Sequence, residues 1–486
     1  MKETESVKEQ TIQSVKWSSI ERFSLQLAYF IIGIVMARKL SPSDYGAVGM
    51  IAIFISISQT FINSGFGNAL IRKLDRTDVD YSTVFIFNFI VSIICYGLLF
   101  LISPWVASFF AMPILCPVLR VQAITLILGS LVSIHLTKLS IELDFKGIAL
   151  RSLVITILSG ATGIICAYSG LGVWSLVIQG LVNSTTNVLF IWAYTRWFPK
   201  LKFSRKSFKE MFSFGSKILA SSLLNTIYNN LNTLVVGKFF SASDLGNYNR
   251  GTHFATLPVE TANSVLGKVT YPILARLQND ESRLIRAYRK YICIMSLIIF
   301  FGCCLLVAIG KPLILFLLTE KWSESIIYLQ IFAFAIMFDH ISTINLNLLF
   351  VKGRSDLFFR LEVIKKTIST IILFSSIPFG VIGICISKII YTQISIFINT
   401  YYTGKLFHLS YSTQWKDFSV FFIASVISCF PAFLICQFTP LHPILSILMG
   451  ILLSIAIYYF SLRKNAYMLE VLDVAKSKLP FLRPEK

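Results

Sequence analysis

The sequence predicts an all-α, polytopic membrane protein of about 14 transmembrane helices, with two six-helix lobes related by an internal repeat and two further C-terminal helices. Three observations support this fold class. Only 14% of the 486 residues are charged, against roughly 25% in soluble domains. Uncharged runs recur that reach the ~20 residues with which a helix crosses the hydrocarbon core. In addition, one block of forty residues occurs twice.

The internal repeat relates residues 41–80 to residues 241–280. Eleven of the forty positions are identical at a fixed offset of 200, where average composition gives about two or three by chance. SPSDYG (41–46) returns as SASDLG, and NSGFG (63–67) returns as NSVLG. Because the repeat lies within apolar segments, it predicts two copies of one helical bundle, which is the plan of a transporter.

Helix boundaries follow from the apolar runs and from the breaks within them. The longest runs are predicted to hold two helices each, broken at Ser103–Pro104, at Tyr168–Gly172 and at Thr439–Pro440. Membrane β-strands do not fit, because barrel strands alternate in polarity and are only ~10 residues long. In chain order, the predicted helices cover residues 17–38, 45–68, 83–102, 115–137, 150–169, 171–195, 215–237, 247–268, 291–310, 325–350, 361–379, 380–402, 418–437 and 443–462.

The basic residues predict the topology. Of the 44 Lys and Arg residues, 35 fall on the side of the amino terminus, five on the opposite side and four within helices. This imbalance predicts that both termini are cytoplasmic. Repeated positions are six helices apart, so the halves are parallel repeats. The predicted parts are an N-terminal lobe (1–200), a C-terminal lobe (201–405) and a final part (406–486) with two helices and a cytoplasmic tail.

Several functional classes lack support in the sequence. Residues 1–16 mix Lys and Glu and show no cleavage site, so the first helix is expected to be an uncleaved anchor. The nine Cys residues form no CxxC or Cys/His cluster, and we expect neither a metal nor a cofactor. A phosphate-binding GxxxxGK[ST] loop is absent, and nothing resembles a nucleic-acid reader. Since the outward loops are short, an enzyme acting through a large external loop is not expected.

Seven short motifs, spread over nearly the whole chain, resemble one family of transporters. In order and spacing they are similar to polysaccharide flippases of the multidrug/oligosaccharidyl-lipid/polysaccharide exporter superfamily. The most similar members are lipopolysaccharide biosynthesis proteins of the colanic-acid-exporter and teichuronic-acid type. This resemblance implies two six-helix lobes around a central cavity with alternating access. The motifs are Lys16-Trp17-Ser18, Phe66–Lys73, Gly172–Gln179, Leu245–Gly251, Tyr271–Asp280, Glu320–Trp322 and Val351–Arg360.

The resemblance also implies a function. Such flippases move undecaprenyl-pyrophosphate-linked oligosaccharides from the inner to the outer leaflet of the bacterial inner membrane, for surface polysaccharide or O-antigen assembly. The expected partners are this substrate, membrane lipids, a polysaccharide polymerase and glycosyltransferases. Two alternatives remain open. One is a multidrug/cation antiporter of the same superfamily, which usually has twelve helices and a carboxylate-rich cavity. The other is a polysaccharide polymerase or ligase, which would need a long outward loop.

Ionisable residues within predicted helices are the first candidates for a site, since charge in a membrane is costly and marks function. Glu260, Asp339 and Lys388 are predicted near the membrane midplane, and the two carboxylates are candidate ion-coupling groups. A lipid-linked pyrophosphate needs a compensating cation. Arg250 is the first candidate because a guanidinium offers bidentate donors to phosphate, and Lys388 is the second. Internal ion pairing is the alternative role for these charges.

Polar stripes at helical spacing supply the other candidates for substrate binding. The stripe that contains Arg250 and Glu260 also contains His253. Interhelical hydrogen bonding is the alternative role for the amides. Two further stripes hold Asn225, Tyr228, Asn229 and Asn232 on the predicted helix 215–237, and Arg22 and Gln26 on the predicted helix 17–38.

Overall fold

A computed structural model describes residues 23–63, 65–142, 144–200 and 202–478. Arg22 and the Lys16-Trp17-Ser18 motif therefore lie outside the described residues. Where the chain is described, it forms α-helices and no strand. They are α1 (residues 23–39), α2 (Pro42–Asn63), α3 (Phe66–Arg72), α4 (Asp78–Phe109), α5 (Leu115–Gln122), α6 (Ile124–Ile141), α7 (Phe145–Tyr168), α8 (Val173–Thr195), α9 (Arg205–Phe239), α10 (Ala242–Arg276), α11 (Glu281–Leu318), α12 (Glu324–Ile336), α13 (Asp339–Val351), α14 (Ser355–Ser376), α15 (Gly380–Phe407), α16 (Tyr411–Phe438), α17 (Pro443–Leu462) and α18 (Ala466–Lys478).

The chain divides into two compact units, unit 1 (Met1–Gly246) and unit 2 (Asn247–Lys486). Helices α1 to α9 and the first residues of α10 belong to unit 1, and the rest of α10 with α11 to α18 belongs to unit 2. These units are defined by contacts and not by the repeat. The predicted lobes at 1–200 and 201–405, and the final part at 406–486, therefore stay a prediction.

Ten segments within the described ranges are long and apolar enough to cross a membrane, which confirms the polytopic all-α class. They cover eleven of the predicted helices, because the span Asp356–Phe407 holds both α14 and α15. The predicted helices 215–237 and 247–268 lie in α9 and α10, which are 35 residues each but too polar to be counted. The predicted helix 17–38 begins outside the described residues. The total of 14 thus stays a prediction.

Two of the three predicted breaks are confirmed, and the one at Ser103–Pro104 is wrong. Pro104 lies inside α4, which continues to Phe109. A proline lacks the N–H that would bond to the carbonyl four residues earlier, here that of Phe100. The Ser103 hydroxyl donates a hydrogen bond to this carbonyl at 2.8 Å. The side chain replaces the lost backbone donor, so the helix passes through the proline and ends five residues later.

The repeated SxSDxG motif forms the same helix cap twice, at the starts of α2 and α10. The Asp44 carboxylate accepts from the Ser41 backbone N–H at 2.8 Å, and the Ser41 hydroxyl accepts from the Asp44 N–H at 3.2 Å. Between Ser241 and Asp244 the same two bonds measure 3.0 and 3.1 Å. Reciprocal bonds of this kind satisfy backbone donors at a helix start. The sequence repeat is therefore also a structural repeat at these caps.

The two capped helix starts pack against each other through paired glycines. A Cβ added to Gly46 would lie 1.7 Å from the Ala242 carbonyl oxygen, and one added to Gly246 would lie 1.9 Å from that of Pro42. Both distances are far inside van der Waals contact. The two contacts are equivalent under the repeat, because Gly46 and Gly246 are repeat partners and so are Pro42 and Ala242. Only glycine permits this approach of α2 and α10.

A buried hydrogen-bond network joins four helices of unit 2. The side-chain oxygen of Asn345 (α13) accepts from the hydroxyls of Tyr288 (α11) and Thr403 (α15), at 2.9 and 2.8 Å. The Asn345 amide also donates to the Gln414 side chain (α16) at 2.9 Å. All four residues are fully buried, and satisfied polar groups of this kind specify one packing arrangement. The network fixes α16 to α11, α13 and α15.

Candidate functional site

A cavity of about 420 Å³ lies within unit 2 and is lined by three of the predicted membrane charges, Glu260, Asp339 and Lys388. It is formed by α10, α12 to α15 and their polar side chains. We call it the charged cavity. Its ionisable lining residues are Glu260, Asp339, Lys365 and Lys388. The structure thereby brings together three residues that were chosen from the sequence on separate helices. The cavity is also lined by Thr256, Val259, Ile336, Ser342, Thr343, Leu346, Tyr391 and Ser395.

Asp339 is placed in the charged cavity by a break in the predicted helix 325–350. Helix α12 ends at Ile336, and α13 begins at Asp339. The carboxylate therefore stands on the first residue of a helix, where the helix dipole favours negative charge. Met337 and Phe338, between the two helices, keep right-handed helical dihedral angles, so the break interrupts the hydrogen bonding without unwinding the backbone.

A buried histidine stabilises the same break. The Nδ1 atom of His340 lies 2.7 Å from the Met337 carbonyl oxygen, and its Nε2 lies 2.9 Å from the Ser296 hydroxyl. A carbonyl only accepts, so Nδ1 carries the proton and Nε2 accepts from Ser296. His340 is fully buried. It therefore satisfies backbone at the break and holds α13 against α11.

Lys388 and Asp339 form an open ion pair in the cavity. The Lys388 Nζ atom lies 3.4 Å from Asp339 Oδ2, and the two side chains are 22% and 36% exposed. The Thr392 hydroxyl reaches Asp339 Oδ1 at 3.5 Å. Tight charge-assisted bonds are shorter, at about 2.7–2.9 Å. This pair is long and partly exposed, so another anion has access to the Lys388 ammonium.

Lys365 is a cavity residue that the sequence analysis missed. Its side chain is 5% exposed and is paired with Glu362. The count of basic residues places Lys365 on the cytoplasmic side, although it is the fifth residue of the predicted helix 361–379. Helix α14 begins at Ser355, which places Lys365 ten residues into the helix. The sequence signal that could have identified Lys365 is its spacing from Glu362. Residues three apart share a helix face, so this spacing predicts an ion pair on one helix.

Glu260 lies further along its helix than predicted. It is an exposed residue on α10, eighteen residues after Ala242, which is about 27 Å at 1.5 Å per residue. The predicted helix began at 247, whereas α10 begins five residues earlier. The predicted midplane position of Glu260 stays a prediction.

Arg250 and His253 do not line the charged cavity. The Arg250 guanidinium stands 5.7 Å from the ring of Trp322, which is fully buried. One turn earlier, the Asn247 amide donates to the Glu324 carboxylate at 2.9 Å. Arg250 therefore belongs to the junction between α10 and the start of α12. His253 is exposed on α10, and the substrate roles of both residues stay predictions.

The remaining candidates belong to unit 1, on α1 and α9. Asn225 and Asn229 are exposed on α9, Tyr228 and Asn232 are half-buried there, and Gln26 is exposed on α1. That these residues contact substrate stays a prediction. Arg22 lies outside the described residues.

A comparison with protein families agrees with the sequence analysis. The family described as polysaccharide biosynthesis protein matches residues 35–327. Teichuronic acid biosynthesis protein TuaB of Bacillus subtilis (strain 168) is 25% identical over 357 residues, which are 73% of this chain and 74% of TuaB. Lipopolysaccharide biosynthesis protein WzxC of Escherichia coli (strain K12) is 24% identical over 384 residues, which are 78% of this chain and 76% of WzxC.

A solved structure shares the fold. The inward closed conformation of the lipid II flippase MurJ superposes with a TM-score of 0.73 at 16% identity. The superposition covers 93% of this chain and 99% of that one. At this identity the likeness concerns the fold alone, and it shows that the chain has the fold of a multi-pass membrane protein.

Proposed function

This chain belongs to the polysaccharide biosynthesis protein family, and from this membership we propose that it is a flippase for undecaprenyl-pyrophosphate-linked oligosaccharides. We place it in the bacterial inner membrane with both termini in the cytoplasm, as the distribution of basic residues predicts. It acts as a transporter and not as an enzyme, by alternating access. The relatives named for teichuronic acid and lipopolysaccharide biosynthesis support a substrate for surface polysaccharide assembly.

The charged cavity is the observation that carries the proposal. An apolar, multi-pass protein gains nothing for stability from four ionisable side chains around one cavity, because each charge loses hydration. Lys388 supplies a cation there through its open ion pair, whereas the Lys365 ammonium is already paired with Glu362. A pyrophosphate that crosses the membrane needs such positive charge. The cavity therefore suits the anionic part of a lipid-linked sugar.

The open ion pair supports an exchange mechanism. A phosphate oxygen would replace the Asp339 carboxylate at the Lys388 ammonium, since the pair is long and partly exposed. The released carboxylate, or Glu260 in the same cavity, would then bind a proton or a metal cation. Release of the pyrophosphate outside would restore the ion pair. This sequence would couple substrate binding to an ion.

Direct translocation tests the proposed function. In proteoliposomes, the purified full-length protein is expected to expose lipid-linked oligosaccharide to a glycosidase added on the opposite side. In the parent bacterium, deletion of the gene is expected to accumulate this lipid in the inner leaflet. Vesicles with protein that release no more sugar than empty vesicles would contradict the proposal.

A cation antiporter is the second candidate, because Glu260 and Asp339 place two carboxylates in the cavity. Deletion of the gene distinguishes the two functions. Loss of surface polysaccharide supports the flippase, whereas sensitivity to cationic drugs with intact surface polysaccharide supports the antiporter.

Replacement of Arg250 by alanine is expected to slow translocation. The variant loses a guanidinium and its contact with the Trp322 ring, a contact of about 1–2 kcal/mol. A change of that size in the balance between conformations is roughly five- to thirtyfold. Arg250→Lys keeps the charge and is expected to retain more activity. Translocation and membrane level are measured together. If Arg250→Ala leaves translocation unchanged at equal expression, Arg250 has no part in the mechanism.

A further inference from the structure

We propose that a second cavity, in unit 1, binds an uncharged sugar of the transported headgroup, an inference that rests on the proposed function. The cavity has a volume of about 400 Å³, within the range of ligand pockets, about 300–1,000 Å³. It lies between α2, α3, α4, α6 and α9, and we call it the neutral cavity. Its polar lining includes Thr60, Asn63, Asn68, Asn88, Ser133 and Thr137.

The neutral cavity differs in chemistry from the charged cavity. Every polar side chain that lines it, among the residues that the structure describes, is an amide or a hydroxyl. Both groups donate and accept hydrogen bonds, as sugar hydroxyls do. A phosphate or carboxylate would lose its hydration there without gaining an opposite charge. The lining therefore favours an uncharged sugar over an anionic one.

Asn88 supplies an unused acceptor in this lining. It is 2% exposed, and its amide nitrogen donates to the Ser133 hydroxyl at 3.2 Å. Ser133 in turn donates to the Ser130 carbonyl at 3.3 Å, which fixes the donor and acceptor roles. The Asn88 Oδ1 atom is buried without a hydrogen-bond partner among the described residues. Buried acceptors are normally satisfied. A rotation of the Asn88 side chain, which lines the cavity, would bring this acceptor to a ligand hydroxyl.

A glycine break forms one wall of the neutral cavity. Helix α2 ends at Asn63, and Gly65, with φ of 73°, precedes α3. A Cβ on Gly65 would lie 2.9 Å from the Cβ of Ile218 on α9. The positive φ and the close approach both require glycine. The cavity is thus shaped by a specific backbone feature.

The internal repeat relates the two cavities. Thr60 lines the neutral cavity, and Glu260, at the same repeat position, lines the charged cavity. The same position of the repeat therefore faces a cavity in each unit, with a hydroxyl in one and a carboxylate in the other. This divergence agrees with two kinds of ligand group, an uncharged sugar in unit 1 and an ionised group in unit 2.

Equilibrium binding tests the proposal with two defined lipids. The full-length protein in nanodiscs is given undecaprenyl pyrophosphate that carries either one hexose or one hexuronic acid. Asn88→Leu is expected to raise the Kd of the hexose lipid roughly fivefold, the scale of one lost hydrogen bond. The Kd of the hexuronate lipid is expected to stay the same. Thr137→Val is a smaller change in the same lining. It should also raise the Kd of the hexose lipid and leave the Kd of the hexuronate lipid unchanged.

Ser92→Ala is the matched control, because Ser92 lies one turn deeper on α4 and bonds Ser130 of α6 at 3.0 Å without lining the cavity. It is expected to leave both Kd values unchanged. Equal Kd values for wild type and Asn88→Leu, or equal losses for both lipids, would overturn the sugar site. Selective binding without any translocation by the wild type would instead overturn the proposed function and leave the sugar site standing.

Discussion

Replacing Lys388 by methionine is expected to reduce translocation of the lipid-linked oligosaccharide by at least tenfold. The change keeps the apolar stem but removes the cation that we assign to the pyrophosphate. Hydrogen bonds to charged groups contribute about 1.5–3 kcal/mol, which is roughly ten- to a hundredfold in rate. The rate is measured in proteoliposomes at equal protein content. Lys405→Met is the control, since Lys405 is exposed on the same helix and should tolerate the change.

The double variant Lys388→Met/Asp339→Asn separates a substrate contact from a structural ion pair. Lys388→Met alone leaves the Asp339 carboxylate without its cation, and this can itself reduce activity. The double variant removes both charges. If Lys388 binds the pyrophosphate, the double variant stays as slow as Lys388→Met. Recovery to the wild-type rate would show that the pair only stabilises unit 2, and the assignment of Lys388 would be wrong.

Alanine at Gly46 or at Gly246 is expected to reduce translocation to a similar extent. Either Cβ would overlap a carbonyl oxygen of the opposite helix start, at 1.7 or 1.9 Å, so the starts of α2 and α10 must separate. Overpacking costs about 1–3 kcal/mol, which is roughly five- to a hundredfold in an equilibrium between conformations. Separation is measured by placing a cysteine at the buried Pro42 and labelling it with a membrane-impermeant thiol reagent.

Gly97→Ala is the control for these glycine variants, because a Cβ at that position of α4 meets no atom within 4 Å. It should change neither translocation nor labelling. The labelling is compared with that of the same chain without the added cysteine. Gly46→Ala protein that translocates normally, with Pro42→Cys still protected, would show that this contact is dispensable for transport.

Most of the fold could be predicted from composition, because long apolar runs and basic flanks report directly on membrane spans. The breaks between helices were harder to predict. Pro104 is a strong local signal for a helix end, and the Ser103 hydroxyl overrides it by bonding to the Phe100 carbonyl. The break before Asp339 has no proline or glycine that would predict a helix end. It depends on tertiary contacts of His340, which no local pattern reveals.

The candidate site was predicted in part. Charge within apolar helices identified Glu260, Asp339 and Lys388, and all three line one cavity. Which helices meet there is a property of packing, and so the sequence could not separate Arg250 from this group. Lys365 was missed because its place in the membrane depends on where α14 begins. Helix ends near charged residues are weakly determined by the sequence.

The polarity of α9 and α10 has a consequence for biosynthesis. Segments that lack the hydropathy of the ten apolar spans leave the translocon for lipid reluctantly when they are alone. Helix α9 packs against α2, α3 and α4, which the ribosome has already produced when α9 emerges. The earlier helices therefore provide the surface that accepts α9. A fragment that starts after residue 204 would lack this surface, and we expect its α9 to enter the membrane less efficiently than α9 of the full chain.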